Sequence, residues 1–139
     1  MAWGTNFHSL YGKIFGIIDP GSATKRAAFV DGALTLGAGT KTATASSGAA
    51  TLNKPSGVIT SEAITTAAGA VYTLTLTNTC VAAADIVLAT VDLGAGTGGT
   101  PTIASVTPAA GSVVIKVQNI HASAAFNAAI KIRFVVVKA

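Results

Sequence analysis

The chain has 139 residues, of which half are apolar but only 10% are charged and 6% are aromatic. The high apolar share excludes a disordered chain, and the scarcity of Glu, Lys, Arg and Leu argues against a coiled coil. Lys and Arg exceed Asp and Glu by 9 to 5, but these basic residues are scattered along the sequence. The linear sequence therefore has no concentrated basic patch of the kind that binds nucleic acid.

Three further features bear on the cellular setting. Two stretches without charge, 63–84 and 93–115, are interrupted by Thr or by Gly and Pro, so neither predicts a transmembrane helix. The first residues do not resemble a secretory signal, because the first basic residue is Lys13 and no apolar segment follows a charged start. Cys80 is the single cysteine, which excludes an internal disulfide and fits synthesis in a reducing compartment. We expect no membrane partner.

Residues 1–25 are predicted to form an N-terminal arm. Its first 20 residues hold half of the aromatic side chains and end at the turn signal Asp19-Pro20-Gly21-Ser22. The apolar residues have helical spacing, but Gly12 and Gly16 weaken a helix. The arm is either a short amphipathic helix or an extended strand.

Residues 26–139 are predicted to form one β-sandwich domain. Short runs with period-2 alternation are separated by Gly, Pro, Ser and Asn, and they predict strands at 27–36, 40–45, 50–53, 58–64, 71–78, 86–93, 102–106, 113–120 and 129–137. Eight or nine strands at this spacing favour an antiparallel sandwich or barrel. A jelly-roll-like antiparallel β-sandwich is the first choice.

The late strands show the clearest alternation, which predicts one packed and one exposed face. The predicted core positions are Tyr72, Leu74, Leu76, Val113, Ile115, Val117, Ile130, Ile132, Phe134 and Val136. Two of these strands also belong to a weak internal repeat. Ala67-Ala68-Gly69 precedes a strand that ends at Asn78, and Ala109-Ala110-Gly111 precedes one that ends at Asn119. Paired units of this kind are typical of a double Greek key.

The candidate chemical motifs do not lead to an enzyme. Gly94 to Gly99 matches the G-x-G-x-x-G fingerprint, but Thr100-Pro101 and a strand follow where a helix is needed, and no acid occurs after Asp92. A flexible hairpin loop is expected instead. Neither His8 nor His121 has a second metal ligand at short spacing. The five acidic residues could still pair across the fold, but no nucleophile motif accompanies them. We predict no catalytic residue, metal site or cofactor.

The small number of charged residues predicts a surface suited to assembly. With nine basic and five acidic residues, the exterior must consist largely of Thr, Ser, Ala, Gly and exposed Val. Such a surface is well tolerated when much of it is buried against other subunits. We expect the protein to self-associate, as a dimer first and a trimer second, through the outward side chains of Val135 and Val137 on the last strand.

Four segments resemble small virion proteins of tailed bacteriophages: SGVITSE at 56–62, TAAGAVYTLTLTN at 66–78, VTPAAGSVVI at 106–115 and VQNIHASAA at 117–125. Among such proteins, the chain is identified as a member of the capsid decoration, or cement, proteins. The resemblance implies a jelly-roll-like sandwich bound in many copies to the outside of an icosahedral capsid. There it would clamp neighbouring major capsid protein subunits against internal DNA pressure. It also implies synthesis in the bacterial host cytoplasm and assembly into the virion.

The arm supplies the candidate docking residues for the capsid. Interfaces concentrate aromatic anchors, and the arm offers Trp3, Phe7, Leu10, Tyr11, Ile14, Phe15 and Ile18. Packing on a capsid neighbour is favoured over covering an edge of the protein's own sandwich. The alternative function is a receptor-binding or fibre-associated β-sandwich that recognises a host glycan. The few aromatic residues of the strand region count against it.

Overall fold

The computed structural model describes residues 27–30, 33–36 and 41–139. The chain divides into two compact units, residues 1–40 and 41–139. In the first unit, β1 (Ala27–Val30) and β2 (Ala33–Leu36) pair antiparallel as a separate two-stranded sheet. The single strand predicted over 27–36 is therefore wrong. Val30 pairs with Ala33, and the two intervening residues are Asp31-Gly32, a dipeptide that favours two-residue hairpin loops.

The second unit contains eight strands in two four-stranded sheets. In chain order they are β3 (Thr42–Thr44), β4 (Ala49–Thr51), β5 (Ser56–Thr60), β6 (Val71–Thr77), β7 (Ile86–Asp92), β8 (Pro101–Ala109), β9 (Ser112–Asn119) and β10 (Lys131–Val137). Sheet 1 has the order β3-β5-β10-β7, and sheet 2 has the order β4-β6-β9-β8. The predicted all-β sandwich is confirmed. Consecutive strands from β3 to β8 alternate between the two sheets.

The two sheets are mixed, whereas purely antiparallel sheets were expected. β3 pairs parallel to β5, and β4 pairs parallel to β6, while all the other ladders of the sandwich are antiparallel. The chain crosses to the other sheet at each step from β3 to β6, so two crossings bring it back to the sheet it left. It returns in its original direction, so strands two apart in sequence become parallel neighbours.

The core lies between the sheets and is built from alternate residues of the longer strands. All ten predicted core positions are buried, and Leu74, Val113, Ile115, Val117 and Ile132 have no exposed surface. The opposite face of β6 carries Thr73, Thr75 and Thr77, all exposed. The predicted alternation is confirmed in β6, β9 and β10.

The internal repeat has a structural counterpart in sheet 2. β6 and β9 are adjacent and antiparallel, so the turn before each strand lies beside the end of the other. The Gly69 N–H donates to the carbonyl of Asn119 at 2.8 Å, and the Asn78 N–H donates to the carbonyl of Gly111 at 2.9 Å. Both glycines have φ of 76°. The turn of each copy is thus hydrogen-bonded to the end of the other copy's strand, with the glycine as donor in one bond and as acceptor in the other.

Candidate interaction surface

The described residues contain no cluster of metal-ligating side chains. Among them, no three His, Cys, Asp or Glu side chains come close enough to hold a metal ion. No helix long and apolar enough to cross a bilayer occurs in the same part of the chain. The polar clusters that do form hold loops and corners in place.

The glycine-rich loop at residues 94–99 packs against the segment that precedes β10. The side-chain oxygen of Asn127 accepts hydrogen bonds from the N–H groups of Thr97 and Gly98, each at 3.0 Å. A Cβ atom on Gly98 would lie 2.6 Å from the carbonyl oxygen of Ala125. On Gly99, where φ is +83°, it would collide with the ring of Phe126. These glycines permit close packing, and β8 follows them instead of the helix that a dinucleotide site needs.

A carboxylate fastens the corner between β3 and β4. The Glu62 side chain accepts hydrogen bonds from the Gly48 N–H at 2.8 Å and from the Tyr72 hydroxyl at 3.0 Å. Burial, the hydrogen bond to Glu62 and the negative charge of Glu62 together raise the pKa of the Tyr72 hydroxyl. Tyr72 therefore remains a neutral donor at physiological pH, and the pair is a structural brace.

A second carboxylate holds the end of the last strand. Asp85 lies directly before β7, and its buried side chain pairs with the Lys138 ammonium, which also donates to the carbonyl of Cys80. The Ala82 N–H donates to the same carboxylate at 2.7 Å. The hydrogen bond from Lys138, followed by those from the backbone, lowers the pKa of Asp85. This cluster joins the end of β10 to the loop before β7.

The imidazole of His121 also has a structural role. Its Nδ1 accepts hydrogen bonds from the N–H groups of Ser123 at 3.1 Å and Ala124 at 2.8 Å. It therefore orders the loop that follows β9, in agreement with the sequence-based interpretation as a loop histidine.

The one unusual surface within residues 41–139 lies on the outward face of sheet 1. The antiparallel register pairs Val135 with Leu88 and Val137 with Ile86. Ile86, Leu88 and Val137 are 56%, 58% and 45% exposed, and Val135 is partly exposed. These four side chains form an apolar patch at the corner of the sheet, which we call the apolar corner.

Charge is confined to the other end of the same face. There Lys131 pairs with Asp92 across the strands, and Arg133 forms an ion pair with Asp92. The hydrogen bond from Arg133 is the main cause that lowers the pKa of Asp92. The outward face of sheet 1 is thus divided into a charged end and an apolar end.

Of the predicted contact residues, the structure describes those on β10 but not those in the arm. Val135 and Val137 lie on the outward face as expected, although Val135 is the less exposed of the two. Ile86 and Leu88 were missed, because the run Ile86-Val87-Leu88 is apolar throughout and its pattern does not tell which face is outward. The seven docking candidates of the arm lie outside the described residues, so their role stays a prediction.

Two other large apolar side chains are exposed, Val71 and Ile120. Val71 begins β6, and Ile120 directly follows β9, so both lie at one end of sheet 2.

No family model, curated protein or solved structure shows significant similarity to this chain.

Proposed function

We propose that this protein is a structural component of a tailed-bacteriophage virion that binds the outer surface of the capsid and stabilises contacts between major capsid subunits. The observation that carries the proposal is the apolar corner, exposed on a domain whose polar clusters all serve to hold its own loops. Such a surface suits a protein that works by binding other proteins. The resemblance to decoration proteins supplies the identity of the particle.

In this proposal two parts of the chain have different partners. The arm, with its aromatic and aliphatic anchors, binds the major capsid protein. The apolar corner, which includes Val135 and Val137, mediates self-association. Neither contact requires a cofactor, a nucleic acid or a membrane. The protein is made in the host cytoplasm and acts on the capsid exterior without catalysis.

The burial of aromatic residues argues against the receptor-binding alternative. Glycan sites commonly use exposed aromatic side chains as stacking platforms. Within residues 41–139 the aromatic residues are Tyr72, Phe126 and Phe134, and all three are buried. This part of the chain therefore offers no aromatic platform to a sugar.

Cryo-electron microscopy of the parent particle tests the proposal. A decoration protein gives density in regular positions over the whole shell, at a fixed ratio to the major capsid protein. Density restricted to the tail tip or fibres would instead support receptor binding. Absence of the protein from purified particles would overturn both assignments.

A further inference from the structure

The four edges of the sandwich are not protected equally. Exposed edges can pair with strands of other molecules, and natural proteins block them with short strands, prolines, lysines or bulges. β3 and β4 have only three residues each. β8 carries Pro101 and Pro108 and has an irregularity between Ile103 and Ser105. Three of the four edges therefore carry a recognised protective feature.

β7 is the exception. It has seven residues, contains no proline or lysine, and keeps an unbroken register with β10 over its whole length. Among the described strands β10 is the only one hydrogen-bonded to it, while β8 of sheet 2 lies alongside it without ladder hydrogen bonds. Its outward side chains at one end, Ile86 and Leu88, belong to the apolar corner. An edge strand without proline, lysine or bulge and an exposed apolar surface therefore coincide at β7.

We propose that β7 pairs antiparallel with β7 of a second copy, around a two-fold axis at Leu88, and joins the two copies of sheet 1 into one eight-stranded sheet. This inference rests on the self-association that is part of the proposed function. In this register Leu88 lies opposite Leu88 of the second copy, and Ile86 lies opposite Thr90. The central row of the outward face then reads Val135, Leu88, Leu88 and Val135, with Ile86 and Val137 of each copy beside it.

The charges favour this register over its neighbours. Residues that lie opposite each other on neighbouring strands point to the same face of the sheet. The register can therefore shift only by steps that place outward-facing residues opposite outward-facing residues. Full overlap of the seven residues would place Ile86 opposite the charged Asp92 of the second copy. The shift in the other direction would leave only residues 86–88 of each strand paired. Pairing centred on Leu88 keeps five residues of each strand in the ladder and places no charged side chain opposite an apolar one. The ion pairs of Asp92 with Arg133 remain at the two far ends.

Register-specific cross-linking tests the dimer directly. In the full chain, with Cys80 replaced by serine, single cysteines are introduced as Ile86→Cys, Leu88→Cys and Thr90→Cys. Opposed antiparallel residues have Cα atoms about 4.5–5.5 Å apart, which suits a disulfide. Leu88→Cys should therefore give a covalent dimer on mild oxidation. Ile86→Cys and Thr90→Cys should remain largely monomeric, because their copies are four residues out of register. Equal cross-linking at all three positions, or strongest cross-linking at Ile86→Cys, would overturn the register.

Analytical ultracentrifugation provides the second measurement. The unmodified protein should sediment as a dimer at micromolar concentration, and Leu88→Lys should weaken dimerisation by at least about tenfold. Val71→Lys, an exposed valine in sheet 2, is the matched control and should leave the dimer intact. Both variants should keep the thermal midpoint of the parent protein. A parent protein that sediments as a monomer contradicts the proposal.

Binding to capsids that lack the protein separates this inference from the proposed function. If the protein is monomeric and Leu88→Lys also abolishes capsid binding, β7 receives a strand from another protein and the dimer is wrong. If the dimer forms as described but does not bind capsids, the proposed function fails and the inference stands.

Discussion

Asn78 directly follows β6 and Asn119 is the last residue of β9, the two central strands of sheet 2, and both asparagines are fully buried. The side-chain oxygen of each accepts a hydrogen bond from the backbone N–H two residues later, from Cys80 at 2.9 Å and from His121 at 3.1 Å. Each also donates from its amide nitrogen to a carbonyl of another loop. The two asparagines therefore occupy equivalent positions in the internal repeat, and each ties neighbouring loops to the end of a core strand.

Replacing these asparagines should destabilise the fold to different degrees. Asn119 makes four side-chain hydrogen bonds, with Thr66, Thr100, His121 and Ala124. Asn119→Ala should reduce the free energy of unfolding by about 3–5 kcal/mol, because several largely buried backbone groups lose their partners. Asn78→Ala breaks two such bonds and should cost about 1–3 kcal/mol. Urea denaturation measures both values.

Asn53→Ala is the control for this pair. Its side-chain oxygen accepts one exposed hydrogen bond from the Thr79 N–H, so its effect should stay near 0.5 kcal/mol. Equal losses in the three variants would show that the asparagines do not act through buried hydrogen bonds.

Two glycines with similar backbone angles should respond differently to alanine. Gly69 and Gly99 have φ of 76° and 83°, so alanine at either position costs about 1–2 kcal/mol of backbone strain. A Cβ atom at Gly69 would meet nothing within 4 Å, whereas at Gly99 it would lie 2.9 Å from Cε1 of Phe126. Gly99→Ala should therefore cost about 1–3 kcal/mol more than Gly69→Ala. The midpoints of thermal denaturation measure this difference. Equal midpoints for the two variants would contradict close packing of Gly99 against Phe126.

Acid should weaken the fold through Asp85 and Asp92. The pKa of each carboxyl is lowered in the folded state by its cationic partner. A lowered folded pKa gives stability that is complete above the unfolded value, about 4, and is lost as the pH falls through the folded value. The urea midpoint should therefore fall between pH 5 and pH 2.

Asp85→Asn separates the two contributions. This variant should be less stable than the parent at pH 7 and should lose less stability on acidification. Added salt should reduce the Asp92 contribution, because that pair is exposed and screened. An unchanged acid response in Asp85→Asn would show that Lys138 does not stabilise the fold through this carboxylate.

Deletion of residues 1–20 tests the arm. If the arm binds the capsid, the truncated protein should keep nearly the same thermal midpoint and lose binding to capsids that lack the protein. Differential scanning calorimetry and co-sedimentation with such capsids measure the two properties. Unfolding of the truncated protein would place the arm on its own domain, and full capsid occupancy would exclude it as the anchor.

Local patterning predicted most of the strands but not their partners. β6, β9 and β10 were found because one face is packed and the other is exposed, which produces strict alternation. β8 is longer than predicted, Pro101–Ala109 instead of 102–106, because Pro101 and Pro108, which usually interrupt strands, are tolerated on this edge strand. The parallel ladders of β3 and β4 depend on how the corners cross between sheets. The alternation of residues within a strand does not indicate which strand becomes its neighbour or in which direction the two pair.

The apolar corner was only half predicted for a related reason. Val135 and Val137 alternate with buried residues, so their outward position follows from the sequence of β10. Ile86 and Leu88 become their neighbours only through the register between β7 and β10. The apolar corner is formed jointly by β7 and β10, and neither strand contains it alone. In the sequence, 38 residues (93–130) separate the end of β7 from the start of β10.

The position of β10 also has a consequence for synthesis. This strand lies between β5 and β7 in sheet 1, although it is the last of the ten strands to be translated. Until the ribosome has made residue 137, β5 and β7 lack the neighbour that joins them, and the sheet cannot close. Folding of the sandwich must therefore wait until translation of this domain is complete, and the nascent chain meanwhile presents unpaired apolar strands to chaperones.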